Sequence, residues 1–241
     1  MPETELKPHT RSAHIQGLFA RIAKDYDRLN SIISLGLHHS WRRRTIKEMG
    51  ALKGRRILDL CTGTGDLAIL AAKEGAKVVG VDFCEEMLAI GREKIEKAGL
   101  RDRVKFKMCS IPPLPFGDKT FDCLTCGFGL RHLPMKKETF EELLRVLRPN
   151  GRMAILEVGR PGQRIFKGMH HLYFYHLMPY LGKIFAGDSE PYRYLGESTD
   201  LYLPQKEELL GLMEKAGFAH PKVIDLTFGA AAIYVGAKRK G

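Results

Sequence analysis

A glycine loop and the carboxylates around it are the residues whose types and spacing could do chemistry in this chain. The stretch Asp59-Leu60-Cys61-Thr62-Gly63-Thr64-Gly65-Asp66-Leu67-Ala68 follows a short apolar run, and Gly63 to Ala68 satisfies G-x-G-x-x-[GA]. Glycines there let the backbone turn sharply and let a ligand approach it closely. Sites for NAD, FAD and S-adenosylmethionine share that signal, and charge separates them. A dinucleotide lays its pyrophosphate on the bare amides of the helix N-terminus. Here Asp66 occupies that terminus and Asp59 ends the strand below it. Two carboxylates would repel a pyrophosphate; they suit a ligand with an ammonium and a sulfonium, such as S-adenosylmethionine, whose spent form is S-adenosylhomocysteine. Asp82 ends the next apolar run, about 20 residues on, where an acid accepts ribose hydroxyls. Its other reading is a helix N-cap.

Further contacts follow from position along the chain. Phe83 and Met87 can pack on an adenine, or serve as plain core. Ser110 follows the third apolar run, where contacts to an adenine edge are expected, and Gly127-Phe128-Gly129 follows the fourth, beside the methionine end of the donor. Arg131 and His132 come directly after that loop. The guanidinium stays protonated and can stabilise an anion, whereas an imidazole with pKa about 6.5 can take a proton. A surface pair or a cap before Pro134 is the bland alternative. Cys123 and Cys126 form C-x-x-C inside an apolar run with no second pair, so they read as strand residues, and no metal is assigned.

These positions require a scaffold that brings them together. Strands are expected at 56–60, 77–82, 104–109, 121–126 and 153–158, with helices at 66–73, 85–98 and 136–147, the last closed by Pro149-Asn150-Gly151. Alternating strand and helix means a parallel sheet with helices on both faces, and ligands bind at the carboxyl ends of its strands. A helix at 207–216 and strands at 222–225 and 230–237 complete a doubly wound, seven-stranded, mostly parallel α/β sheet with an antiparallel edge. Residues 1–17 read as a loose arm and 18–50 as helix, so 1–50 forms an N-terminal arm and helical cap. Residues 51–160 form the Rossmann-like core, 161–204 an aromatic, mostly helical insertion over one sheet edge, and 205–241 the closing helix and strands.

The chain has 241 residues, 44% hydrophobic and 28% charged, with net charge +11. This composition excludes a disordered or fibrous chain. Five cysteines and a polar N-terminus argue for reduced thiols and against a secretory signal. No apolar run reaches the roughly 18 residues of a spanning helix. The basic excess suits nucleic acid, an anionic membrane or an acidic substrate. An interleaved basic–aromatic RNA module is missing, and Arg42-Arg43-Arg44 falls within the cap helix, so no nucleic acid is assigned.

Longer runs carry a resemblance. They include Phe19-Ala20-Arg21-Ile22-Ala23, Tyr26-Asp27-Arg28-Leu29-Asn30, His38-His39-Ser40-Trp41-Arg42, Phe128-Gly129-Leu130-Arg131 and Tyr194-Leu195-Gly196-Glu197-Ser198. With the glycine loop, the chain resembles the ubiquinone/menaquinone biosynthesis C-methyltransferases, a family of class I S-adenosylmethionine-dependent enzymes. The resemblance implies C-methylation of a reduced, prenylated quinone precursor, demethylmenaquinol or a related benzoquinol. It implies donor contacts from Thr64, Asp82, Ser110 and Ile111. Departures are Ser110 where Asp or Asn is usual, Cys84 and Glu85 without the usual Asn, and His132 where Asn is expected.

In that chemistry a ring carbon becomes nucleophilic once a neighbouring hydroxyl loses its proton. Phenols have pKa about 10, so a base or cation must assist at neutral pH. His132 is the expected base and Arg131 the expected phenolate partner. Tyr26, in the cap, and His170, His171 and Tyr173, in the insertion, are expected to line the acceptor pocket. The location expected is cytoplasmic, peripheral to an anionic membrane surface, with monomer or homodimer left open. A soluble methyltransferase acting on an unprenylated small molecule, an RNA methyltransferase, and a protein that only binds the donor are the other readings.

Overall fold

The structure, a computed structural model, describes residues 8–161 and 190–240, and between them residues 168, 172, 173, 177, 178, 180 and 183. Three helices come first: α1 (Pro8–Ile22), α2 (Tyr26–Ile33) and α3 (Leu37–Glu48). Helix therefore begins well before residue 18, and residues 8–17 are not a loose arm. Ile15 and Leu18 lie on one helical face and are both buried against Tyr194, which extends the apolar stripe backwards.

Strand and helix then alternate as β1 (Arg56–Leu60), α4 (Asp66–Lys73), β2 (Lys77–Asp82), α5 (Glu85–Lys97), β3 (Val104–Met108), β4 (Phe121–Gly127), α6 (Lys137–Val146) and β5 (Leu147–Val158). The described C-terminal part adds α7 (Glu190–Tyr202), α8 (Lys206–Lys215), β6 (Phe218–Leu226) and β7 (Ala231–Lys238). The Pro149-Asn150-Gly151 turn lies inside β5, not before it. Leu147 already pairs with Phe121, and Asn150 takes the extra length as a bulge with φ 61°.

The sheet runs β3-β2-β1-β4-β5-β7-β6. Only β7 runs against the others, and it sits between β5 and β6, so the antiparallel strand is next to the edge, not at it. Alternate residues face opposite cores: Leu58, Leu60, Met153 and Ile155 pack on α6 and α8, while Ile57, Ala154 and Leu156 pack on α3, α4 and α5. The chain winds outward from β1 to β3 and then returns to β4 on the other side of β1. That reversal opens a crevice at the carboxyl ends of β1 and β4. The cap closes over it. Phe19 of α1 and Ala23 just after it meet Met87 of α5, and α7 packs on α1 and on the short turn Leu130–His132. Helix α7 thus lies against the cap and the turn that follows β4; most of the rest of the 161–204 insertion lies outside the described residues.

Candidate active site

Buried hydrogen bonds hold the glycine loop. Asp59 is almost fully buried and accepts from the hydroxyls of Thr62 and Thr125, both at 2.6 Å. Burial pushes its carboxyl up to about 6, against the pull of those two hydroxyls. Asp82 accepts the Gly63 amide at 2.8 Å and the Cys84 amide at 3.0 Å. It anchors the loop and the entry to α5 together, and each oxygen keeps a second lone pair for a ligand hydroxyl. Burial raises the Asp82 carboxyl, and the amides of Cys84, Gly63 and Phe83 offset part of that rise. Gly65, at φ 80°, starts α4 where any Cβ would lie 2.5 Å from the Phe106 ring. Gly127 leaves room for Leu67, which a Cβ would meet at 2.8 Å.

The cap is strapped to this loop by charge. Lys94 Nζ, on α5, donates to Asp27 at 2.6 Å and to Asp66 at 2.5 Å. The Thr64 hydroxyl donates to Asp27 at 2.7 Å, and Arg42 of α3 lies 3.1 Å from Asp66. Burial raises the Asp66 carboxyl, but Arg42 and Lys94 outweigh it and hold it below its ordinary value. The expectation of two free carboxylates waiting for a cationic ligand is therefore corrected. Asp66 is ionised but neutralised by two cations, and Asp59 is turned inward onto two threonines. The Arg42 Nη1 is buried 3.1 Å from an Asp66 oxygen, and the residue also lines the small space bounded by Gly63, Thr64 and Gly127. A glycine loop with the Arg42 guanidinium and the Asp82 carboxylate beside it fits S-adenosylmethionine, which carries a carboxylate and ribose hydroxyls.

A second, larger cavity of about 520 Å³ adjoins the first. Its walls are mostly apolar, with Leu18, Leu29, Ile33, Trp41, Phe128 and Val158 among them. Tyr26 lines both spaces, so the two meet at its ring. The polar wall groups include His38, Asn30, Ser34, Arg131 and Thr227. The Tyr173 hydroxyl donates to the Ile33 carbonyl, and its ring joins the wall with Met178.

The remaining expected residues fall in several places. Arg131 reaches the cavity wall, but its guanidinium donates to Glu157 at 2.8 Å, to the Phe128 carbonyl at 2.6 Å and to Ser198 at 3.2 Å. His132 lies behind Tyr194, stacked on that ring with Nδ1 3.2 Å from the hydroxyl, and edge-on to Phe19. Phe83 packs on the Ile15–Leu18–Tyr194 cluster, and Met87 lies under the loop, 3.3 Å from where a Gly63 Cβ would be. Ser110 is exposed just beyond β3, and Ile111 packs on the core. His170 and His171 lie outside the described residues. Three groups were not singled out from sequence: Glu157, an acid at the end of an apolar strand; Lys94; and His38, half of a histidine doublet.

Comparison with known proteins now bears on this geometry. The model of the ubiE/COQ5 methyltransferase family matches residues 7–238. The chain belongs to that family. It is a methyltransferase, as the resemblance of its sequence implied. A demethylmenaquinone methyltransferase of Staphylococcus aureus is 42% identical over 229 residues, 94% of this chain and 93% of that protein. Among solved structures, an S-adenosylmethionine-dependent methyltransferase of Thermotoga maritima aligns with TM-score 0.66 at 20% identity, over 94% of this chain and all of the other. One from Aquifex aeolicus aligns with TM-score 0.58 at 21% identity, over 81% and 88%. At such identities the likeness is one of fold.

Proposed function

We propose that this chain moves a methyl group from S-adenosylmethionine to a ring carbon of a reduced, prenylated quinone precursor, demethylmenaquinol or a related benzoquinol. The observation that carries the reading is the apolar cavity of about 520 Å³ meeting the glycine loop at Tyr26. A greasy ring with a prenyl tail fits such walls, and a polar or phosphorylated acceptor does not. The 42%-identical relative named for demethylmenaquinone supports it.

S-adenosylmethionine, when bound, supplies a methyl already activated on a sulfonium. The protein has to hold and exclude. Asp82 would accept the ribose hydroxyls, the Arg42 guanidinium would donate to the carboxylate, and Met87 would pack from below. Trp41, Phe128 and Leu29 keep water from the acceptor ring, which favours alkylation of carbon over loss of the methyl to solvent. Arg131 serves as a fixed wall whose charge Glu157 balances, a role different from the phenolate partner expected from sequence.

Peripheral membrane contact belongs to the same reading. Leu35, Leu37 and Phe228 line the cavity and are exposed, with Leu35 at 83% and Phe228 at 74%. An apolar lip on a chain of net charge +11 suits the anionic leaflet where a prenyl tail resides. Among the described residues no helix is long and apolar enough to cross a membrane. Two measurements test the proposal. Deleting the gene should accumulate a quinone lighter by one methyl, read by mass spectrometry; an unchanged quinone pool refutes the substrate. Flotation should recover the protein with anionic but not neutral liposomes at low salt, and absence from both refutes the membrane contact.

A further inference from the structure

The Ser34 hydroxyl donates to the Asn30 carbonyl at 2.6 Å, and His38 Nδ1 lies 2.6 Å from the same Ser34 oxygen. A hydroxyl has one proton, and a carbonyl can only accept. The serine proton therefore goes to Asn30, and Nδ1 must carry its own hydrogen and donate it to Ser34. This fixes the tautomer and leaves the lone pair on Nε2. The ring is 97% buried and forms part of the wall of the apolar cavity. It is also uncharged at neutral pH: burial, then Arg42 and His39, lower its pKa to about 4. The charged and titratable groups around it are Arg42 and His39 on α3, Asp66 on α4 and Lys94 on α5. Of these Asp66 alone favours the imidazolium.

We infer that His38 is the general base for the acceptor, with Ser34 and Asn30 as the relay that presents its Nε2 to the cavity. The inference rests on the quinol reading above. The hydroxyl proton passes to Nε2, and the O–H electron pair stays on oxygen and delocalises onto the adjacent ring carbon. That carbon forms the new bond to the methyl, whose former bonding pair to sulfur stays with sulfur. The ring carbon then gives up its own hydrogen as a proton, which restores the aromatic ring and the hydroxyl. One proton leaves to solvent via His38, and the positive charge of the donor is discharged. No oxidant or reductant is needed. Ser34 orients the imidazole without placing a second anion in an apolar wall; because it does not raise the basicity of the ring as a carboxylate would, the proton moves to Nε2 as the carbon–methyl bond forms and not in advance of it.

The test uses the full-length protein with S-adenosylmethionine and short-tailed naphtho- and benzohydroquinones kept reduced. His38→Gln should lower kcat at pH 7 by about 100-fold or more. Donor affinity by calorimetry should change less than about twofold, since His38 lies in the acceptor wall. The variant should regain rate as pH rises, because hydroxide replaces the lost base. Wild type should keep its rate well below pH 6.5, because a base with a lowered pKa stays neutral there. Ser34→Ala keeps the imidazole but removes the relay; kcat should fall roughly tenfold with acceptor KM nearly unchanged. This second variant decides the matter if His38→Gln does not fold. Variants within about threefold of wild type, with unmoved pH profiles, overturn the role of His38 alone. A wild-type protein that binds the donor yet methylates none of the quinols overturns the substrate reading and this inference with it.

Discussion

Arg131 and Glu157 form an ion pair at 2.8 Å with almost no solvent on either side chain. Glu157 Oε1 also accepts the Val158 amide at 2.9 Å, so the carboxylate is held by the sheet that the guanidinium leans on. This pair ties the loop after β4 to the end of β5, the two strands whose carboxyl ends border the large apolar cavity.

Breaking that pair on one side strands a buried charge. Glu157→Ala should cost about 3–5 kcal/mol of unfolding free energy. Replacing both by apolar residues of like volume, Arg131→Met with Glu157→Leu, should cost much less, because no charge is left buried. Urea denaturation of the two variants checks this. Equal losses would mean that packing, not charge, dominates at the site.

Lys94 gives a second prediction. Its ammonium neutralises Asp27 on the cap and Asp66 on the core. Lys94→Met leaves Asp66 with Arg42 alone and takes from Asp27 its bond to the core ammonium, and should loosen the cap by about 1–2 kcal/mol. Backbone amides of α1 and α2 should exchange with deuterium roughly tenfold faster, those of β1 and β4 at the old rate. Uniform acceleration would point to global destabilisation and against a strap.

Local parts of this structure were legible in the sequence, and parts assembled from distant segments were not. β1, α4 and β2 match expectation because alternation, glycine spacing and terminal acids are all nearest-neighbour signals. The electrostatics of Asp66 were misread because its partners come from α3 and α5, more than one element away. Helix before residue 18 was hidden because the residue that buries Ile15 and Leu18 is Tyr194. His38 was quoted only as part of a run. Its tautomer depends on Ser34 and Asn30, one and two helical turns back, a pattern at helical spacing but spanning the junction of two helices. Glu157 carried a readable sign, an acid inside Met153-Ala154-Ile155-Leu156-Glu157-Val158, and a buried strand acid calls for a buried cation.

Asp82 ties donor binding to loop order. Asp82→Ala should lose at least about 1.5 kcal/mol of S-adenosylmethionine affinity, the scale of hydrogen bonds to a charged group. It should also lower the melting temperature without ligand, because the amides of Gly63 and Cys84 lose their acceptor. Asp82→Asn keeps one acceptor oxygen and should fall between the two. Calorimetry with unchanged donor affinity would remove Asp82 from the ligand site and leave it as a loop anchor only.

Asp59 should make the fold less stable as pH rises through mildly acid values, opposite to the usual carboxylate. Its carboxyl titrates at about 6 when folded and at 3.8 as an ordinary aspartate. Below pH 4 both states hold the proton and Asp59 contributes nothing to the pH dependence. Between about 4 and 6 the unfolded chain has lost the proton while the native protein keeps it, so the native state binds more protons and stability falls with rising pH. Above 6 both are ionised and the loss levels off at about 3 kcal/mol, from roughly two pH units at 1.4 kcal/mol each. Asp59→Asn removes that titration. The amide can still accept from one threonine hydroxyl, and the other hydroxyl must turn to accept its N–H. Wild type should therefore be the more stable near pH 4, where a protonated acid fits as well as the amide or better, and the variant should gain on it by up to about 3 kcal/mol by pH 7.5. Urea denaturation of both proteins across this range measures the difference directly, with every other titrating group common to the pair. A difference that stays constant with pH would show that the carboxyl is ionised throughout in the native protein, held so by Thr62 and Thr125.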